Sequence, residues 1–122
     1  MSLDYLIFDY SDSTDGTGTF EAMVSVGPQH VPAVHAEVAA VLAWCHARFG
    51  SDCGPVGEGF TWDAELQGQQ EFSAREDLHF DVATGRLSAR LMPPGTPRHT
   101  LTLTLTGDEA FCEALRSHFA LD

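Results

Sequence analysis

Between residues 100 and 106 the chain reads TLTLTLT, with Leu101, Leu103 and Leu105 on one side of the alternation and threonines on the other. A period of two with β-branched partners marks a strand with one buried and one wet face, and such a strand needs a sheet around it. Residues 20–26 repeat the pattern, with Phe20, Ala22, Val24 and Val26 opposite Glu21, Met23 and Ser25. Residues 60–67 do the same, with Phe60, Trp62, Ala64 and Leu66 opposite Thr61, Asp63, Glu65 and Gln67. Residues 3–10 are strand formers with apolar groups on both sides, as in an interior strand, and the Ser- and Gly-rich residues 11–18 form a loop. Residues 78–82 and 86–91 flank Ala83-Thr84-Gly85, a hairpin in which Gly85 supplies positive φ and Asp81 caps the turn. Residues 69–77 are polar and show no clear period.

Two stretches change to a helical period. Val34, Val38, Val41, Cys45 and Phe49 recur every three or four residues, Pro32 suits a first helical turn, and Gly50 suits a left-handed end. Thr106-Gly-Asp-Glu109 fits a capping box for a second helix, whose inner stripe is Phe111, Leu115, His118 and Phe119. The expectation is a single α+β domain over residues 1–122, two-layered, in the order ββα-βββ(β)-α. Its mainly antiparallel sheet would have about five to seven strands with both helices packed on one face. Thr102, Thr104, Asp63, Glu65, His79 and Arg90 would lie on the open face.

A chain of 122 residues can bury a core without metals or disulfides. Eighteen acidic residues against six arginines give a net charge of −12, which repels nucleic acid and anionic membranes and favours a basic protein partner. Lysine and asparagine are absent, as a GC-rich coding sequence gives, so a bacterial source is expected. Cys45, Cys53 and Cys112 are odd in number and widely spaced, which fits reduced thiols in a cytoplasm better than a secreted framework. The first residues do not resemble a signal peptide, and the longest apolar run, residues 38–45, is too short to span a bilayer.

No motif here fixes an activity. Aligning Asp9, Asp12, Asp15 and Gly16 with an EF-hand puts Ser11 and Ala22 where carboxylates are needed, so that reading fails. His35-Ala-Glu37 matches a zinc-deaminase fragment, but the partner P-C-x-x-C is missing. His35 and His46 share a helix side yet stand about 16 Å apart, too far for one ion. No cofactor, metal or catalytic residue is assigned. Two features point to contacts instead. Residues 1–47 hold six acids and no arginine, forming an acidic pole in which Asp9, Asp12, Asp15 and Glu21 are the expected partner contacts, with Trp44 as an aromatic anchor. The first helix is apolar nearly all round, and Ala36, Ala40, Ala43 and Ala47 suit a homodimer contact. The expected function is a small acidic intracellular protein-binding domain, an immunity-type inhibitor or an adaptor for a basic protein, rather than an enzyme. The alternative is a small hydrolase or ligand-binding protein with a cleft near Trp62, Asp63, Glu65 and His79.

Overall fold

The computed structural model describes residues 2–50 and 52–121. The chain forms strands β1 (Asp9–Asp12) and β2 (Gly18–Val26), helix α1 (Val31–Phe49), and strands β3 (Trp62–Glu71), β4 (Ala74–Asp81), β5 (Arg86–Pro94) and β6 (Arg98–Gly107). Helix α2 (Glu109–His118) closes it. This is the expected antiparallel α+β order. The strands, however, divide into a four-stranded sheet, β1-β2-β6-β3, and a separate two-stranded β4-β5 ribbon.

The leucine-threonine strand lies inside the sheet. Leu103 is opposite Ala22 of β2 and Leu66 of β3, and Leu105 is opposite Phe20 and Ala64. Direct cross-strand partners share a face, so these rows make one apolar surface. Both helices press on it: Val34, Val38, Val41 and Cys45 of α1 and Phe111, Cys112 and Leu115 of α2 join Phe20, Leu103 and Leu105 in one core. Trp62 is fully buried there, stacked on Phe111 with centroids 5.6 Å apart. Each large side chain buried in this way contributes about 1.5–3 kcal/mol.

Two local expectations change, and one stretch left without an element gains one. Residues 3–8 are not a strand, and β1 occupies Asp9–Asp12, partly within the expected loop. The cause is Glu37 on α1, whose carboxylate accepts the backbone N–H groups of Asp4 at 2.8 Å, Tyr5 at 3.0 Å and Leu6 at 3.1 Å. Amides that a strand would offer to a neighbour are taken by a side chain, and Leu6 drops into the core. Helix α2 is capped by Asp108, not Thr106: the Asp108 carboxylate accepts the Phe111 N–H at 2.9 Å, while Thr106 stays in the ladder opposite Thr19 and Asp63. The polar stretch 69–77 is strand at both ends, the end of β3 and the start of β4.

Together β3–β4 and β5–β6 are the two legs of one long hairpin. Its register runs from Trp62↔Gly107 through Glu71↔Arg98 and Ala74↔Pro94 to Asp81↔Arg86, with the extra residues taken up on the returning leg around Pro93-Pro94. Beyond Glu71 the hairpin leaves the sheet as an arm, and every residue of β4 is exposed. The turn at its tip closes as expected: Ala83 N–H donates to the Asp81 carboxylate at 2.9 Å, and Gly85, at φ +69°, donates to the Asp81 carbonyl at 2.8 Å.

Replacing Glu37 by alanine strands three amides against the helix. Glu37→Ala should lower stability by about 1–3 kcal/mol in urea titrations, with faster amide exchange at Asp4, Tyr5 and Leu6. Unchanged exchange there would show that the carboxylate does not hold the segment.

Candidate functional site

The ladder fixes two ends of the sheet. At one end Gly18 faces Gly107, so the β1–β2 loop and the start of α2 meet; at the other Val26 faces His99, where the arm begins. Eight steps of about 3.3 Å separate them, roughly 27 Å.

At the loop end Tyr10, Asp12, Ser13 and Gly16 face Glu109, Cys112, Glu113 and Arg116 across a cleft of about 300 Å³. Glu109 and Glu113 stand four residues apart, one above the other on α2, and line the cleft opposite Asp12. Glu109 also sits in the first turn of α2, where the helix dipole favours a negative charge. The chain's own Arg116 lies over the Tyr10 ring, 4.4 Å from its centroid, so one wall already holds a guanidinium by a cation–π contact.

Of the acids expected to form a pole, Asp9 and Glu21 are direct cross-strand neighbours and both are exposed. Asp12 belongs to the cleft. Asp15 closes its own loop instead: its carboxylate accepts the Thr17 hydroxyl at 2.7 Å and the Thr17 N–H at 3.0 Å, and these bonds hold its pKa down at about 2. Trp44 lies elsewhere. It stacks on His118 with centroids 4.8 Å apart and meets Phe49 and Phe119 edge-on, so it ties α1 to the end of α2. Ala36, Ala43 and Ala47 are exposed and Ala40 is half-buried. The pair Glu109 and Glu113 was missed from sequence, although its i, i+4 spacing was visible.

The residues grouped for a hydrolytic cleft are not brought together. Trp62 is in the core, Asp63 and Glu65 stand on the outer sheet face opposite Thr106 and Thr104, and His79 is on the arm opposite Ser88. Among the described residues, no three of histidine, cysteine, aspartate and glutamate form a metal-ligand group. All three cysteines are free. Burial, with Cys53 nearby, pushes the Cys45 thiol up to about 12, and burial also raises Cys112. No described helix is long and apolar enough to cross a membrane. Comparison with protein-family models, curated proteins and solved structures returns no match.

Two titrations check this geometry. With a thiol reagent at mildly alkaline pH, half-buried Cys53 should react first, and Cys45 and Cys112 only on unfolding. Fast labelling of Cys45 in the folded chain would contradict its burial. By carboxyl NMR, Asp15 should stay ionised down to about pH 2. Because its folded pKa lies below the ordinary 3.8, its stabilising contribution is present above that value and is lost as pH falls through about 2. A midpoint for Asp15 at the ordinary value would remove the Thr17 contact from solution.

Proposed function

We propose that this chain is a protein-binding domain that takes basic side chains of a partner into the cleft between the β1–β2 loop and α2, acting as an inhibitor or an adaptor. The observation that carries this reading is the convergence of Asp12, Glu109 and Glu113 on one cleft. Among the described residues, the one carboxylate–guanidinium ion pair is Arg75–Asp77, far from that cleft on the arm. The cleft acids are in no described ion pair and are open to an incoming lysine or arginine. Asp9 and Glu21 on the neighbouring strands extend the same negative field, which speeds capture of a basic surface. Reduced thiols suit this role in a cytoplasm.

A tetra-arginine peptide is a sufficient probe. At low salt, Asp12→Asn with Glu109→Gln and Glu113→Gln should weaken its binding roughly tenfold, since surface charge contacts contribute about 0.2–1 kcal/mol each. Asp63→Asn with Glu65→Gln, on the outer sheet face, should change it little. Equal losses from both sets would mean that net charge alone attracts the peptide, and the cleft reading would fail.

A further inference from the structure

The arm is amphipathic, and one side of it has no cover. Leu78 is opposite Ala89, Phe80 opposite Leu87, and Glu76 opposite Leu91, whereas Asp77, His79 and Asp81 are opposite Arg90, Ser88 and Arg86. Cross-strand partners share a face, so one side of the ribbon is apolar apart from Glu76 near its root, and the other is charged. Phe72, Leu78, Phe80, Val82, Leu87 and Leu91 are between 56% and 85% exposed. A two-stranded ribbon is at best marginal alone in water, and a run of large apolar groups on it marks an interface.

The chain also carries a receptor for such a face. At the root of the arm, between the first turns of α1 and the sheet, a slot of about 250 Å³ is lined by Val24, Val31, Val34 and Leu101, with Gly68 in its floor. Gly68 is opposite Leu101, and nothing lies within 4 Å of where its Cβ would stand. The slot exists because that inner position of β3 has no side chain. Gly68 and the apolar residues Leu78 and Phe80 lie on the same outgoing leg, on either side of the break in pairing at Phe72-Ser73.

We infer that a second copy of this chain covers the arm: two arms clasp face to face across a two-fold axis, and the tip of each seats in the slot at the root of the other. Area supports a copy as the occupant. Six side chains of this size, each more than half exposed, hold on the order of 800 Å² per arm, about what each side of a stable interface contributes. Charge supports it too. Residues 72–96 hold Arg75, Arg86 and Arg90 against Glu76, Asp77 and Asp81, so the arm is neutral and the rest of the chain holds the whole −12. Two such bodies repel each other at close range. Arms about 30 Å long keep them farther apart than the screening length of about 8 Å at physiological salt. The arm is a neutral surface through which so acidic a chain meets a second copy without like-charge contact. A closed two-fold exchange also uses up both arms and both slots, leaving no sticky end to propagate. This inference is independent of the acidic cleft, which lies at the opposite end of the sheet.

The test is the mass of the purified chain by light scattering over a concentration series, with two variants. The unmodified chain should approach twice the mass of one chain. Phe80→Glu with Leu87→Glu, at exposed positions, should restore the single mass with the circular dichroism unchanged. Gly68→Leu, which has room for its side chain, should fill the slot and weaken the dimer at least tenfold. Should a variant misfold, amide exchange on the unmodified chain decides the matter, because protection of β4 and β5 should rise with concentration. A single mass for the unmodified chain at high-micromolar concentration, or a dimer indifferent to either variant, would overturn the clasp. If the chain stays single yet binds tetra-arginine through the cleft, the clasp alone fails; if it pairs but ignores the peptide, the proposed function alone fails.

Discussion

Everything in this fold is referred to β6. Its leucines are the middle row of the inner face, and its backbone hydrogen-bonds to β2 on one side and β3 on the other. A shift of one residue in that strand would turn Leu101, Leu103 and Leu105 out to solvent and the threonines into the core. The same strand positions the acidic cleft at one of its ends and the root of the arm at the other. Its final residue, Gly107, delivers Asp108 and α2 to the β1–β2 loop, and its first residues anchor the returning leg of the arm.

The outcome is a molecule with its charge and its uncovered apolar surface kept apart. Carboxylates gather at the loop end, where β1, β2 and α2 meet, and they leave the arm electrically balanced. Apolar exposure is concentrated at the other end. A negative field near the apolar face would oppose the proposed burial against a second acidic chain, and apolar groups near the acids would blunt the field proposed to draw a basic partner. They lie about 27 Å apart, well beyond the screening length at physiological salt.

Much of this was legible in the sequence, because much of it is local. The LTLTLT run, the stripe from Val34 to Cys45, and the Asp81–Gly85 turn each declare themselves within a few residues, and all three form as read. What escaped depends on distant partners. Residues 3–8 have strand composition, yet their amides go to Glu37, 33 positions from Asp4. Thr106 and Asp108 are both good caps, and the ladder bonds of Thr106 leave the task to Asp108. The acidic pole was visible as charge, but Glu109 and Glu113 reach Asp12 only because β6 pairs antiparallel with β2. Leu78 and Phe80 alternate just as the core strands do; a period of two shows that one face is apolar without showing what covers it. Trp44, expected as an aromatic anchor for a partner, also ties α1 to α2 through His118 and Phe119, a contact between helices that no local spacing announces.

The central claim is that within one chain the apolar side of the arm stands clear of the helices. Proton–proton contacts measured by NMR on dilute chain address it directly. Contacts are expected between the Phe80 ring and Leu87, and between Leu103 and both Ala22 and Leu66, with none from Phe80 to α1 or α2. Contacts from Phe80 to Val38 or Leu115, which do not line the slot, would mean that the arm folds back over its own core and would contradict that separation.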